Sequence, residues 1–104
     1  MPTFETSPRF RADLAQLTPA QRRRFKNVVI STFVADLRSG TFRPGLRVKG
    51  VRSSPGVFEL TWAPGGRATW TYGPERIRGS RHIVSRRVGT HDILLSDSER
   101  FAER

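Results

Sequence analysis

The chain contains no cysteine. That absence excludes a disulfide framework, a thiolate metal site and a cysteine nucleophile. Lysine is nearly missing too: seventeen of the nineteen basic residues are arginine, and only Lys26 and Lys49 are lysine. Histidine occurs twice, at 82 and 91, without metal-ligand spacing to the scattered acids, so neither a metal nor another cofactor is expected. The glycines at 50, 56, 65 and 66 match no phosphate-cradling loop and read as turn residues. No apolar run approaches the roughly 18 residues needed to span a membrane. The start Met1-Pro2-Thr3-Phe4-Glu5 has no apolar signal core, so the expected location is the cytoplasm.

What is present is positive charge and a modest apolar core. The 104 residues suit a single domain, expected over 1–95 with a polar tail over 96–104. Hydrophobic residues make up 36%, with seven Phe and two Trp, too many large apolar groups for a disordered chain. The net charge of +10 is uneven: residues 41–91 carry ten bases and two acids, whereas residues 92–104 carry two bases and four acids. A basic segment of that density implies an anionic partner, most often nucleic acid, unless it is simply a solvated face.

Periodicity divides the chain. After a short N-terminal strand, Ser7-Pro8 and Thr18-Pro19 are two helix starts, the second completed as a capping box by Gln21. Phe10, Leu14 and Leu17 share one helix face. Phe25, Val29, Phe33 and Leu37 mark a second helix over 19–39, ended by Gly40. Arg22-Arg23-Arg24 opposes the dipole at the start of that helix, which suggests either a surface with another task or, as is commoner, simply solvated arginines.

Beyond Gly40 the period falls to two. Strands are expected at 46–49, 57–62, 67–72 and 82–88, with a loop over 73–81. The order predicts an α+β fold: an N-terminal strand and helical hairpin packed on one face of a mainly antiparallel sheet of four to five strands. Leu46, Val48, Phe58, Leu60, Trp62, Ala68 and Trp70 would form the covered face. Arg47, Lys49, Glu59, Thr61, Arg67, Thr69 and Thr71 would form a polar, cationic one.

Such a face binds phosphates. With a proton-transfer group beside it, it also suits RNA cleavage, because RNA supplies its own 2′-OH nucleophile. His91, in a Gly-Thr-His-Asp turn four residues after Arg87, and His82 are the candidates for that group, each alternatively an ordinary hydrogen-bonded histidine. Glu59 is either a base or an ion-pair partner of Lys49 or Arg67. The two tryptophans either stack bases or belong to the core, as their period suggests. Tyr72, at a strand end, either reaches the active face or sits at the core rim.

Gly-Leu-Arg-Val-Lys-Gly-Val (45–51), Gly-Val-Phe-Glu-Leu-Thr-Trp (56–62), Gly-Arg-Ala-Thr-Trp-Thr-Tyr (66–72) and Arg-Arg-Val-Gly-Thr-His-Asp-Ile-Leu (86–94) follow the helical hairpin. In this order they resemble the RelE/ParE toxin superfamily, and within it the RelE/YafQ-type mRNA interferases of type II toxin–antitoxin systems, over residues 3–94. The most specific piece is Arg87-x-Gly-Thr-His91. The resemblance implies an endoribonuclease that cuts ribosome-bound mRNA without metal. His91, Arg87, Arg67 and Lys49 would be catalytic, and Arg47, Arg52, Arg86, Tyr72, His82 and Glu59 would bind RNA. It also implies a cognate antitoxin as partner. The upstream histidines and acid of YafQ-like toxins have no clear counterparts here, and no Tyr follows Tyr72. A ParE-like gyrase inhibitor and a non-catalytic RNA-binding module are the alternative functions of the same fold.

Overall fold

A computed structural model describes residues 2–90 and residue 93; Met1, His91, Asp92 and residues 94–104, with the expected polar tail, lie outside the described residues. Strand β1 (Thr3–Thr6) leads through Ser7 into helix α1 (Pro8–Gln16). Ser7 Oγ accepts the Phe10 N–H at 3.0 Å and donates to the Arg86 carbonyl at 3.0 Å, so one side chain starts the helix and ties it to a distant strand. Helix α2 (Pro19–Val28) begins with the expected capping box. The Gln21 N–H donates to Thr18 Oγ1 at 3.2 Å, and the Thr18 N–H donates to Gln21 Oε1 at 2.8 Å.

The helical segment continues to Ser39 but is not uniform. A π-turn over Val29–Phe33 separates α2 from α3 (Val34–Ser39), and Gly40 ends the run at φ 86°. The four-residue repeat of Phe25, Val29, Phe33 and Leu37 accounts for the interruption. On an ideal α-helix each such step gains about 40°, so the stripe would wander by roughly a third of a turn. In the π-turn the Val34 N–H bonds the carbonyl of Val29, five residues back. This wider turn rotates less per residue and keeps Phe33 and Leu37 on the buried side with Phe25.

Strands β2 (Lys49–Gly50), β3 (Val57–Ala63), β4 (Gly66–Ile77) and β5 (Ser80–Thr90) complete a five-stranded sheet of order β1-β5-β4-β3-β2. Only β1 is parallel to its neighbour; the other pairs are antiparallel. Two expectations need correction. The strand expected at 46–49 is reduced to the two residues of β2, because Pro44–Leu46 form a 3-10 turn and Arg47 takes a left-handed conformation at φ 49°. Leu46 is instead driven into the core. The loop expected over 73–81 is the end of a long hairpin, turned at Arg78-Gly79 with Gly79 at φ 83°.

Both tryptophans belong to the core. Phe25 meets Trp62 edge-on at 5.8 Å between centroids, Phe33 meets Trp70 at 4.8 Å, and Phe58 stacks on Trp70 at 5.7 Å. Trp62 also donates its indole N–H to the Arg67 carbonyl at 3.0 Å. Behind α3, the buried Asp36 accepts three hydrogen bonds from Arg43: the backbone N–H at 2.8 Å, Nε at 2.9 Å and Nη2 at 2.8 Å. These bonds hold the Asp36 carboxyl below the ordinary aspartate range.

Two outcomes are expected. A Cβ at Gly66 would lie 2.7 Å from Trp62 Cε2, so Gly66→Ala should cost about 1–3 kcal/mol in urea unfolding followed by tryptophan fluorescence. The lowered Asp36 value means that its stabilisation is complete above the unfolded aspartate value of about 3.9 and is lost as pH falls through the folded one. Asp36→Asn should therefore be less stable at neutral pH and lose less stability on acidification. Urea titrations at successive pH values would measure it, and an unchanged pH slope would rule out this role.

Candidate RNA-binding face and its basic groove

Partners directly opposite across a sheet project to the same side. On the side away from the helices the register therefore builds one row of Lys49, Glu59, Thr69 and Arg87 across β2, β3, β4 and β5. At about 4.8 Å per strand the row spans roughly 14 Å. Thr61, Arg67 and Gly89 form the next row. The face is less open than the alternation implies, since Glu59 and Thr69 are buried. Of the two readings of Glu59, the structure contains the ion pair: Lys49 Nζ lies 3.4 Å from Glu59 Oε1, with the lysine side chain 71% exposed and the glutamate 6%.

Arg87 belongs to this row by register, but its guanidinium is engaged. Asp13 of α1 accepts from Nε at 2.6 Å and from Nη2 at 3.1 Å, and also takes the Val88 N–H at 3.2 Å. Strand β1 pairs β5 only from His82 to Ser85, so beyond it the β5 edge is met by α1 through this carboxylate. Arg87 is buried as a result. Arg86 is the extra residue of a β-bulge, because Thr69 pairs Arg87 while Trp70 pairs Ser85. The segment Arg86–Thr90 is thus held from α1 and from β4 as it leads toward His91, which lies outside the described residues. Asp13 had no signal in the sequence beyond its place on α1.

Arg67 and Arg47 meet at a different feature. Between α2, the turn before β2 and the β3–β4 hairpin lies a groove of about 600 Å³. Arg24, Arg43, Arg47 and Arg67 line it over apolar groups of Val28, Leu46 and Trp62, and its lining includes no carboxylate. Arg47 is the one non-glycine with positive φ among the described residues, a conformation costing about 1–2 kcal/mol. Arg67 donates from Nη1 to the Gly66 carbonyl at 2.9 Å. Arg52 is exposed on the turn between β2 and β3.

The remaining candidates sit elsewhere. His82 is 3% exposed and fixed from both ring nitrogens, by Thr3 Oγ1 at 2.7 Å on Nδ1 and by Glu5 Oε1 at 2.6 Å on Nε2. Arg76 pairs with the same Glu5 oxygen at 2.8 Å. The hydrogen bond from His82, then the charge of Arg76, holds the Glu5 carboxyl below its ordinary range. Tyr72 pairs with Ile83 and packs on Phe58 at 5.5 Å, which places it on the helix-covered side, with Arg81 against its ring at 5.5 Å. Neither residue adjoins the Lys49–Arg87 row.

No family model matches the sequence, and no curated protein matches it significantly. Solved structures do match. YafQ from E. coli strain BL21(DE3) aligns with a TM-score of 0.59 at 18% identity, over 90% of this chain and 98% of that one. YafQ in the E. coli DinJ–YafQ toxin–antitoxin complex gives 0.60 at 16% identity, over 89% and 96%. The likeness is one of fold: the chain has a YafQ-like fold.

The double hydrogen bonding of His82 gives a direct expectation. His82→Phe should lower stability by about 1–3 kcal/mol in chemical unfolding, through the lost hydrogen bonds to Thr3 and Glu5, and leave RNA affinity within about twofold in an anisotropy titration. Unchanged stability with lost RNA binding would place His82 in the site instead.

Proposed function

We propose that this RelE/YafQ-type fold is the toxin of a type II toxin–antitoxin pair, an endoribonuclease that cuts mRNA on the ribosome. The observation that carries this reading is the cationic side of the sheet, where Lys49 and Arg67 stand in adjacent rows, Arg47 lies at the groove beside them, and β5 leads to His91. The 2′-oxygen forms a bond to phosphorus and the bond to the 5′-oxygen breaks. The proton leaving the 2′-OH goes to a base, and the departing 5′-oxygen receives one from an acid. His91 acts as the general acid or the general base, with water completing the other proton transfer, while Lys49 and Arg67 stabilise the charge that builds on the phosphoryl oxygens. Arg87, bound to Asp13, holds the strand that His91 follows in the sequence. The products are a 2′,3′-cyclic phosphate, or the 3′-phosphate formed from it, and a 5′-OH.

A cognate antitoxin fits the same reading. The related YafQ is crystallised with DinJ. A +10 chain is readily captured by an acidic partner through long-range attraction.

The test is inducible expression of the wild type and His91→Ala in bacteria, with growth followed and mRNA 5′ ends mapped. Arrest with new cuts in translated mRNA, lost in the variant, is the expected result. With purified ribosomes, His91→Ala should slow cleavage about 10²–10⁴-fold and Arg67→Ala about 10²–10³-fold. Metal dependence, or equal cutting of a 2′-deoxy substrate, would overturn the mechanism. Arrest with intact mRNA would point to gyrase, and binding without arrest to a non-catalytic member of the fold.

A further inference from the structure

His82 is the only histidine among the described residues, and RNA cleavage at the cationic face does not use it. Its ring is tightly fixed. Glu5 Oε1 lies 2.6 Å from Nε2 and Thr3 Oγ1 lies 2.7 Å from Nδ1, while the ring packs so closely on Gly73 that a Cβ there would come within 3.0 Å of Cδ2. The direction of the two hydrogen bonds follows from the carboxylate. The bond from His82, then the charge of Arg76, holds Glu5 below its ordinary range, so at neutral pH it has no proton to give. Nε2 therefore carries the hydrogen and donates. In the neutral ring Nδ1 is then the acceptor, and the Thr3 hydroxyl donates to it. Hydroxyl, imidazole and carboxylate stand in the order of a nucleophile, its base and the group that orients the base, at the distances such a relay requires. Arg76 Nη2 holds the same Glu5 oxygen at 2.8 Å.

Thr3 is half-buried on β1, an edge strand of the described sheet, so a reagent can reach its hydroxyl while the base stays buried. His82 also lines a depression of about 370 Å³ with Tyr72, Gly73, Glu75 and Arg81, which leaves space beside the imidazole for a small donor. Five residues of β5 separate His82 from Arg87, about 16 Å along the strand, so the cluster lies apart from the RNA-binding row.

We infer that Thr3 is a nucleophilic acceptor site, acylated by small activated esters or thioesters with His82 as the base. Thr3 Oγ1 forms a bond to the acyl carbonyl carbon, and the bond from that carbon to the leaving oxygen or sulfur breaks. The hydroxyl proton passes to His82 Nδ1 and then to the departing group, while Glu5 stabilises the transient imidazolium. A neutral acyl group suits the site better than a phosphoryl group, because the Glu5 carboxylate would repel an added dianion.

Full-length protein is treated with para-nitrophenyl acetate, and acetyl groups are located by mass spectrometry of its peptides, with hydroxylamine separating esters from amides. Thr6 is the internal reference, since it lies on the same strand and its hydroxyl is bonded by Arg11 instead of a histidine. The expected result is a hydroxylamine-labile acetyl on Thr3 that forms at least about a hundredfold faster than on Thr6, a ratio lost in concentrated urea. Thr3→Ser should keep the label and Thr3→Val should lose it. Glu5→Gln, which removes the charge facing the imidazolium, should slow labelling about tenfold, and His82→Gln should bring it to the Thr6 rate. The Thr3-to-Thr6 ratio and Glu5→Gln decide the outcome even where His82→Gln does not fold. Thr3 reacting no faster than Thr6, or as fast in Glu5→Gln as in the wild type, overturns the assignment and leaves His82 a structural tie between β1 and β5. RNA cleavage plays no part in this readout, so the acceptor site and the RNA-cleaving function stand or fall separately.

Discussion

The helical segment from Pro19 to Ser39 must keep a single apolar stripe on the sheet over its whole length, and the rest of the structure depends on that constraint. Its four-residue repeat suits neither an ideal α-helix nor a coiled coil, and the π-turn at Val29–Phe33 reconciles it with a nearly straight seam. Along that seam Phe25 reaches Trp62 and Phe33 reaches Trp70, so two aromatic contacts align the helix with β3 and β4. Once the large apolar groups of β3 and β4 are committed to this side, their alternate residues stand on the other. The row of Lys49, Glu59 and Thr69 is thus a by-product of helix packing. The same packing brings Arg24 into the lining of the groove that Arg47 and Arg67 share.

The arginines divide into two populations. Arg43, Arg76 and Arg87 are paired with Asp36, Glu5 and Asp13, and each pair joins segments far from regular neighbours: a helix to a loop, β4 to β1, and β5 to α1. The partly buried pairs, Arg43 with Asp36 and Arg87 with Asp13, add geometry as well as charge, since two-point contacts between a guanidinium and a carboxylate fix orientation. A second group, Arg24, Arg47 and Arg52, has no acidic partner among the described residues and carries the field that attracts an anion. Net charge alone does not separate the groups; the map of carboxylates does.

Much of the fold was legible in the sequence because it is written in period and punctuation. Ser7-Pro8, Thr18-Pro19 with Gln21, and Gly40 mark helix ends through local hydrogen bonds. The alternation of Phe58, Leu60 and Trp62 with Glu59 and Thr61 assigns faces. What was not legible depends on distant partners. The pattern at 46–49 alternates, yet Pro44 and a left-handed Arg47 leave only two residues for pairing. The glycine and proline between 73 and 81 read as a loop, whereas β5 lies alongside and extends the ladder. In the site, Lys49, Glu59 and Arg67 follow from alternation. The engagement of Arg87 by Asp13 and of His82 by Glu5 links residues more than seventy positions apart, and no local signal encodes it.

The short parallel strand β1 has a kinetic consequence. Thr3 pairs with His82, 79 positions away, so this edge of the sheet closes the longest loop in the described chain. Loop-closure entropy makes such contacts late and slow. During synthesis the helices and the β3–β4 hairpin emerge first, while β1 waits for a strand not yet made. The anchoring of Arg86–Thr90 likewise waits for β5 to meet α1. The β5 edge of the sheet, with the anchored segment Arg86–Thr90, is therefore the last part of the described fold to be assembled, after the β2–β4 part of the cationic face is in place.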